Sequence, residues 1–358
     1  MTQSGSREAR IVAQIWQALG IDPKTTPEHL TLGEIGMESM FAVELQQGLE
    51  RDYDIKLTLN DIKNITIKNM KDFESGKVEV FRQYVKEIRI AREKLSKIKF
   101  IIPNDSHTRL NNVTTGRPVY FLPPLEGIFA SLEALAEKMD RPVIGLNWTK
   151  DMENLTSLKE ISRYYINLLK VLEPKGDYDI VGHFYGALIA MKMLRKAPIG
   201  RCVIIDSLSG TQMNDEMQTD EYLLELIVKF ISKDLPQVVK EKLLRDLKTN
   251  GGDVDSKLNK LSFEVKEFVG KSLVSKHLDD ILRNSFKRAK LFTSYRLNLM
   301  KKIKQMKYSA GRKYLQMSGK LLIIKPFGNS SDEIPDSSQM TDRIKDSYFL
   351  PEKVCPKN

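Results

Sequence analysis

One serine stands where its hydroxyl could carry a covalent group. Ser39 lies near the end of a glycine-bearing loop, residues 32–40, which reads Leu-Gly-Glu-Ile-Gly-Met-Glu-Ser-Met. Apolar residues follow at Phe41, Leu45 and Leu49, the spacing of one buried helix face, so Ser39 is predicted at or near a helix start. A serine there can simply cap the helix by accepting bonds from free backbone N–H groups. It can instead offer its hydroxyl to a phosphate, which a helix N-terminus favours.

A second stretch has the frame of a catalytic turn without its nucleophile. Residues 182–186 read Gly-His-Phe-Tyr-Gly between a predicted strand and a predicted helix. In a Gly-x-Ser-x-Gly turn at such a place, the serine is exposed as a nucleophile and the glycines allow the close packing that the turn needs. The central residue here is Phe184, and a phenyl ring has no lone pair with which to attack a carbonyl. The sequence therefore predicts a turn that has lost its attacking group.

The elements that position Ser39 are predicted to form a small helical bundle. Apolar residues on one face predict a first helix over residues 7–19, which Gly20 ends. A loop rich in proline and glycine, residues 22–36, then leads to the serine and its helix. A third amphipathic segment completes a predicted domain over residues 1–76.

A charged helix and a loop separate this bundle from the rest of the chain. Residues 76–100 have one apolar side among lysine, arginine and glutamate, which predicts a long connecting helix. Residues 102–117 have the proline, asparagine and glycine content of a loop. We therefore predict a helical connector and linker over residues 77–117 and a second folded domain over residues 118–358.

The second domain alternates short apolar runs with helical segments. This alternation predicts an α/β parallel sheet, because a short run of apolar residues suits a strand buried on both faces. The predicted strands are residues 119–122, 143–146, 178–181, 202–205 and 321–324, and a helix through Met139 is predicted after the loop that follows the first strand. The stretch over about residues 213–316 is helical almost throughout and predicts an insertion that forms a lid. From residue 330 onward few residues are apolar, and no further strand is predicted.

Composition and charge narrow the class of protein. The chain has 358 residues and only two cysteines, Cys202 and Cys355, which points to a reducing compartment rather than a disulfide framework. It has no apolar run of about 18 residues and no signal-peptide core, so we predict a cytoplasmic protein without a membrane span.

Charge is unevenly distributed along the chain. Residues 1–76 carry a net charge of −4 and the remainder +14, giving the total of +10. The opposite charges of the first domain and the rest of the chain suit transient docking of one on the other. The basic residues show no nucleic-acid reading motif, so no nucleic acid is expected, and no metal site is predicted.

The first domain resembles an acyl carrier domain. Carrier domains hold their modified serine in a Gly-x-Asp-Ser-Leu loop at the head of the second helix, and this chain has Gly-Met-Glu-Ser-Met at residues 36–40. The similarity extends over residues 7–73, including the segment 61–66. The resemblance implies a 4′-phosphopantetheine arm covalently attached to Ser39 and a phosphopantetheinyl transferase as partner. Attachment requires an exposed hydroxyl, and we expect no basic side chain beside it.

The second domain resembles the thioesterase at the C-terminal end of animal-type (type I) fatty acid synthases. The family has a Pro-Ile-Glu-Gly loop after the first strand, and here residues 124–127 read Pro-Leu-Glu-Gly. Its turn, often Gly-Tyr-Ser-Tyr-Gly-Ala, matches residues 182–187 except at Phe184. The resemblance implies Asp206 as the triad acid and the backbone N–H groups of Leu125 and Tyr185 as oxyanion-hole donors. It also implies other fatty acid synthase domains and acyl chains as partners.

The triad is predicted to be incomplete, which makes this domain a pseudoenzyme. Triad members of this fold follow the order Ser, Asp, His, and after Asp206 the only histidine is His277. It precedes the last predicted strand, whereas the family's histidine lies beyond that strand, so the domain is expected to lack its C-terminal end. Asp206 is then a non-functional remnant, and His183 and His277 are structural or surface residues.

The leading hypothesis is a multidomain protein of fatty acid synthase type. It joins a small all-α acyl carrier bundle to an α/β-hydrolase-type sheet with a helical lid. The carrier works in fatty acid biosynthesis, and the thioesterase fold is inactive. Two alternatives remain open from the residues. The second domain is a non-catalytic scaffold for an acyl chain or a partner, or the chain is an incomplete gene product of an active synthase.

Overall fold

The internal contacts of the chain divide it into two units. The helical unit, as we call it, holds Met1–Lys99 with Val228–Val274, and the sheet unit holds Phe100–Ile227 with Ser275–Asn358. The domain boundaries predicted at residues 76 and 117 stay a prediction. The computed structural model describes residues 7–98, 100–194, 196–205, 215–231, 235–249, 251–270, 277–308, 320–326 and 344–350.

Helices and strands are distributed unevenly between the two units. The helices are α1 Arg7–Leu19, α2 Ser39–Tyr53, α3 Leu59–Lys63, α4 Ile67–Glu74, α5 Val78–Lys97, α6 Glu133–Glu137, α7 Leu158–Leu172, α8 Tyr185–Met193, α9 Asp220–Ile231, α10 Gln237–Thr249, α11 Val254–Val269 and α12 Leu278–Tyr308. The strands are β1 His107–Arg109, β2 Val119–Phe121, β3 Val143–Leu146, β4 Tyr178–His183, β5 Ile199–Ile205, β6 Lys320–Pro326 and β7 Ile344–Leu350. Helices α1–α5, α10 and α11 lie in the helical unit. The strands lie in the sheet unit with α6–α8 and α12.

The first helix has the bounds that its apolar face predicts. Helix α1 buries Val12, Ile15 and Trp16, and the indole N–H of Trp16 donates to Glu74 at the end of α4 at 3.3 Å. Gly20 follows the helix with a φ of 63°, a left-handed conformation that glycine adopts without steric cost. The periodicity and the glycine therefore define this helix together.

Helix α5 packs against the bundle along its length. The ring of Phe81 lies 5.2 Å from that of Phe73 in α4, and the Tyr84 hydroxyl donates to the carbonyl of Asn64 at 3.1 Å. Both Phe81 and Tyr84 are buried. The stretch predicted as a connecting helix thus contributes to the core of the helical unit.

The predicted helical insertion between β5 and β6 divides between the two units. Its described residues form α9–α12, of which α10 and α11 belong to the helical unit and α12 to the sheet unit. In the ranges that the structure covers, no helix is both long enough and apolar enough to cross a membrane. The insertion therefore contributes to the helical unit, because α11 packs against α3 and α5 and α10 packs against α11.

The sheet has the order β1-β3-β2-β4-β5-β6-β7. Strand β1 is antiparallel to β3, and every other pairing among the described strands is parallel. This arrangement, with helices between the strands, confirms the predicted fold class of a helical bundle followed by an α/β-hydrolase-like domain. The sheet is mixed rather than wholly parallel. In parallel sheets, functional groups gather at the carboxyl ends of the strands, and β4 ends at the turn of residues 182–186.

Three features of the sheet unit differ from the prediction. Strand β1 lies in the stretch predicted as a loop, because its three exposed residues show no apolar pattern. Strand β7 lies in the tail where no strand is predicted. It pairs with β6 and lies at the edge of the described sheet, where charged residues such as Lys345 and Asp346 are acceptable. Helix α6 spans only Glu133–Glu137, although a longer helix through Met139 is predicted.

A buried carboxylate ties β4 to two arginines. Asp179 is 3% exposed, and its Oδ2 accepts hydrogen bonds from Arg141 at 2.7 Å and from Arg201 at 2.6 Å. Burial would raise the pKa of this carboxyl, but the hydrogen bonds from Arg201 and Arg141 outweigh burial and hold the pKa below its usual value. The folded pKa is therefore lower than the unfolded one. Such a group stabilises the fold above its unfolded pKa of about 4, and this stability is lost as pH falls through the folded pKa.

We expect Asp179→Asn to destabilise the sheet unit at neutral pH but much less in acid. The amide cannot titrate and leaves two guanidinium groups poorly paired, which should cost about 2 kcal/mol at pH 7. Thermal unfolding at pH 7 and at about pH 3 should show the difference in Tm shrinking at the lower pH. Asp140→Asn, at an exposed position of the same unit, is the matched control. An equal loss for Asp179→Asn at both pH values would contradict the assignment.

Candidate functional site

Ser39 is the first residue of α2 and does not cap it. The N-cap is Glu38, with φ −70° and ψ 153°, and no side chain makes the capping bond. Ser39 is exposed, and the following Met40 is 67% exposed. The capping interpretation of this serine therefore does not account for its position. Its hydroxyl lies on the surface beside the N-terminus of a helix, which favours a phosphate.

A lysine lies beside this hydroxyl, contrary to expectation. The Nζ of Lys63, the last residue of α3, lies 3.5 Å from the Ser39 Oγ. The backbone brings it there, because the N–H of Gly33 in the preceding loop donates to the Lys63 carbonyl at 2.8 Å. The prediction of no basic side chain is wrong, since the contact joins residues 24 apart that no local pattern connects. An ammonium group at this place can pair with a phosphate on the serine.

The loop before Ser39 is held at both ends. The N–H of Leu32 donates to the carbonyl of Ile65 at 2.8 Å, and the N–H of Met37 donates back to the Leu32 carbonyl at 2.9 Å. Thr31 and Leu32 are completely buried, and Gly36 has a φ of 91°, which only glycine adopts readily. This loop therefore presents the serine from a fixed backbone.

The turn at residues 182–186 keeps the backbone of a nucleophile turn. Phe184 has φ 49° and ψ −105° between the end of β4 and the start of α8, a conformation that costs energy for a residue with a side chain. A Cβ on Gly182 would lie 2.6 Å from the carbonyl oxygen of Gly186, so this glycine is required by close packing. The structure thus retains the strain that exposes a nucleophile, with a phenyl ring at the central position.

Aromatic side chains surround Phe184. Its ring lies 4.6 Å from that of Tyr185, edge to face, and Tyr185 lies 5.3 Å from Phe292 of α12. The Tyr185 hydroxyl is 3.4 Å from Thr293 Oγ1, and burial raises the pKa of Tyr185 to about 12. A small cavity adjoins these rings and is lined by Phe184, Tyr185, Tyr222, Leu226, Phe292 and Arg296.

Arg296 places a cation in the wall of this cavity. Its residue exposure is 8%, and burial lowers the pKa of its guanidinium to about 10, against the opposing influence of Tyr185 and Tyr222. The guanidinium therefore remains charged at neutral pH. The cavity combines apolar rings with one buried positive charge, and its volume of about 20 Å³ has room for little more than a water molecule.

The two predicted oxyanion-hole residues are both buried. Leu125 is 1% and Tyr185 3% exposed. In the described part of the chain, neither backbone N–H donates to a backbone carbonyl outside regular helices and strands. The carbonyl of Leu125 is held by the Nε of Arg288 from α12 at 2.6 Å. Arg288 also lies over the Trp148 ring at 5.0 Å, so the loop after β2 has a fixed position.

Of the remaining triad candidates, the structure describes the two histidines. Asp206, the predicted triad acid, lies outside the described residues. His277 accepts a hydrogen bond on its Nδ1 from the backbone N–H of Ile102 at 3.3 Å, and it lies just before α12. His183 is the residue before Phe184 and is partly buried. The roles predicted for Leu125, Tyr185 and Asp206 stay predictions.

Two protein-family models match the chain. Residues 9–73 match the model described as the phosphopantetheine attachment site, and residues 117–232 match that of the thioesterase domain. Ser39 lies in the first match and Phe184 in the second. A carrier domain and a thioesterase domain are thus present in one chain, and the cofactor of the first is covalently attached 4′-phosphopantetheine. The exposed Ser39 hydroxyl, the N-terminus of α2 and Lys63 fit this group.

Similar proteins include a polyketide synthase and a nonribosomal peptide synthetase. The polyketide synthase PksR of Bacillus subtilis (strain 168) is 22% identical over 275 residues, which are 74% of this chain and 10% of that protein. The chain thus spans about a tenth of the length of this relative. A four-domain nonribosomal peptide synthetase bound to AMP and glycine covers 98% of this chain and 24% of its own, at 15% identity and a TM-score of 0.47. The NocB thioesterase domain from the nocardicin cluster covers 68% and 88%, at 13% identity and a TM-score of 0.37.

Proposed function

We propose that this chain is an acyl carrier with its arm on Ser39, fused to a thioesterase-type domain that does not hydrolyse thioesters. The observation that carries the proposal is the placement of Ser39. It is the exposed first residue of α2, it lies inside the matched attachment-site segment, and its hydroxyl is not used as a cap. The thiol at the end of the arm holds acyl groups as thioesters.

The surroundings of Ser39 support the attachment of a phosphodiester. The free N–H groups at the start of α2 and the ammonium of Lys63, 3.5 Å from the Ser39 Oγ, both favour a negative charge at this oxygen. Glu38 at the N-cap is exposed, so its carboxylate can turn toward solvent. The loop that presents the serine is fixed by backbone hydrogen bonds, so a modifying enzyme meets the hydroxyl in one place.

The proposal of inactivity rests on Phe184. The strained position that would expose a nucleophile holds a residue that can neither attack a carbonyl nor transfer a proton. Oxyanion-hole donors are backbone groups and can persist when side chains change. We therefore infer that the domain retains the shape of a thioesterase without its chemistry.

The type of synthase follows from resemblance alone. The motifs of residues 124–127 and 182–187 favour fatty acid synthases of the animal type, whereas the curated relative is a polyketide synthase. Both assignments place this chain among synthase domains that exchange acyl groups with its carrier. A phosphopantetheinyl transferase, other synthase domains and acyl chains are the proposed partners, and the two cysteines favour the cytoplasm.

The test of the proposal is the intact mass of the full chain after incubation with coenzyme A and a broad-specificity phosphopantetheinyl transferase. We expect a gain equal to one phosphopantetheine. Ser39→Ala should abolish this gain completely, because it removes the oxygen that forms the phosphodiester. Ser75→Ala, which removes a hydroxyl that donates to the carbonyl of Asp72 within the same unit, should gain the full mass.

Two results would contradict the proposal. Absence of any gain in the unaltered chain would mean that the loop is not a substrate, and a gain that persists in Ser39→Ala would place the modification elsewhere. A second candidate function is a scaffold that binds acyl chains. Its support is the lining of the cavity beside Phe184, with Arg296 in the wall, and this cavity must widen from its volume of about 20 Å³ to admit a chain. Binding of a free fatty acid by the Ser39→Ala chain would support that candidate independently of the arm.

A further inference from the structure

Helices α10 and α11 form a hairpin that packs on the bundle bearing Ser39. They come from the insertion between β5 and β6 but belong to the helical unit, where α11 contacts α3 and α5. The hairpin buries an apolar stripe. Its buried apolar residues are Val239, Leu243, Leu247, Leu258, Leu261, Val265, Phe268 and Val269.

The first polar contact joins α10 to the loop before Ser39. The Nη2 of Arg245 in α10 lies 3.0 Å from Glu34 Oε2 and 3.2 Å from Oε1, and it also donates to the carbonyl of His29 at 3.2 Å. The two side chains are only 26% and 19% exposed. Burial would raise the pKa of Glu34, but hydrogen bonds from Arg245 and Thr31 outweigh it and lower the pKa. A forked guanidinium on a carboxylate is a strong and geometrically specific pair.

The second polar contact reaches the end of α3. The Nζ of Lys242 donates to Asn64 Oδ1 at 3.1 Å and to Glu264 of α11 at 3.2 Å. Asn64 directly follows Lys63, the residue beside the Ser39 hydroxyl. Two basic residues of α10, one turn apart, thus hold the two segments that position the serine.

The third polar contact joins α5 to the end of α11. The Nε of Arg92 donates to the carbonyl of Phe268 at 2.8 Å, and its guanidinium lies 5.3 Å from the centre of the Phe268 ring. The same guanidinium pairs with the buried carboxylate of Asp61 in α3. Three separate contacts therefore fix the hairpin to loop 28–34, α3 and α5.

The hairpin leaves the attachment site open. Ser39 and Glu38 are exposed, and Met40 remains 67% exposed. We propose that the α10–α11 hairpin is the docking surface for this chain's own carrier and holds it through Arg245 and Lys242 while Ser39 stays accessible. The docking does not require the phosphopantetheine arm, whereas the role of the docked domain as a carrier rests on the proposed function. A trans-acting enzyme must then approach Ser39 at the exposed start of α2, because the hairpin occupies the loop before it and the end of α3.

The test is charge reversal in the full chain, with hydrogen exchange of the backbone read by mass spectrometry. Arg245→Glu places two carboxylates together, so exchange in residues 28–37 and in α10 should rise about tenfold. Glu34→Arg should have a similar effect. The double variant restores opposite charges and should recover most of the protection. Lys260→Glu is the matched control, because Lys260 pairs with Asp246 inside the hairpin at 3.3 Å and should leave residues 28–37 unchanged.

Each other outcome overturns the proposal. Unchanged hydrogen exchange in Arg245→Glu would show that the ion pair does not hold the loop. A double variant whose protection is not restored would show that the two side chains do not pair. Mixing the two single-variant chains must not restore protection, since recovery on mixing would mean docking on a second copy. The phosphopantetheine mass gain, measured on the same samples, should persist in Arg245→Glu. If the unaltered chain gains no mass while the charge-reversal variants change hydrogen exchange as expected, the proposed function is rejected and the docking proposal is retained.

Discussion

The full chain should hydrolyse acyl thioesters no faster than its Phe184→Ala variant. Removing the serine nucleophile from a serine hydrolase lowers turnover about a millionfold, and here the strained central position of the turn already holds Phe184. Truncating the ring removes no group that can attack, so both chains should match the buffer rate. The measurement is release of thiol from acyl N-acetylcysteamine thioesters of several chain lengths, followed over hours at neutral pH.

The variant Phe184→Ser tests whether the domain lacks only the serine nucleophile or also the base and the acid that would activate it. After Asp206 the only histidine is His277, and its Nδ1 already accepts the N–H of Ile102. We therefore expect the new serine to stay unactivated and hydrolysis to remain near background. Clear turnover by Phe184→Ser would show that a base and an acid are in place. Thiol release by the unaltered chain well above that of Phe184→Ala would refute inactivity outright.

Much of the fold was open to prediction because its signals are local. The apolar face of residues 7–19 and the glycine after it define α1 by spacing alone, and the structure has the same bounds. The run of apolar residues before Gly182, the two glycines of the turn and the helix that follows likewise place Phe184 between β4 and α8. Such patterns depend on neighbours within a few residues, which a sequence displays directly.

The features that escaped prediction depend on contacts between distant residues. Lys63 meets Ser39 only because Gly33 bonds to its carbonyl, and no pattern near either residue signals that approach. The association of α10 and α11 with the carrier rests on pairs such as Arg245 with Glu34, which are 211 positions apart. The opposite net charges of the first 76 residues and the rest were a signal for docking, but charge counts do not name partners.

Placement of the edge strands failed for another reason. The described residues of β1 are exposed, and β7 carries charged residues in a tail with few apolar side chains. An edge strand needs only one neighbour for its hydrogen bonds and does not require two apolar faces. Strand β1 has no apolar run like that of β2, and in β7 three polar residues interrupt the apolar ones. The sequence therefore reveals the centre of the sheet and not its edges.

Gly182→Ala should destabilise the sheet unit severely. A Cβ at this position would lie 2.6 Å from the carbonyl oxygen and 2.7 Å from the carbonyl carbon of Gly186, and 2.8 Å from the Cα of Ala187. These are backbone atoms of the turn and of α8, so no flexible side chain can move aside. Overpacking of this kind costs about 3 kcal/mol, and here β4 or α8 must shift as well. Thermal unfolding and hydrogen exchange of residues 178–193 should both report the loss.

Gly48→Ala is the matched control, because it makes the same change where there is room. Gly48 lies inside α2, and nothing outside its own helix lies within 4 Å of an added Cβ. Alanine in a helix interior is favoured over glycine by about 0.5–1 kcal/mol, so this variant should be slightly more stable. Opposite signs for the two substitutions would show that the turn still requires its nucleophile geometry although its nucleophile is gone. A mild effect of Gly182→Ala would instead mean that the turn is looser than its backbone indicates, and the strain at Phe184 would then have no structural support.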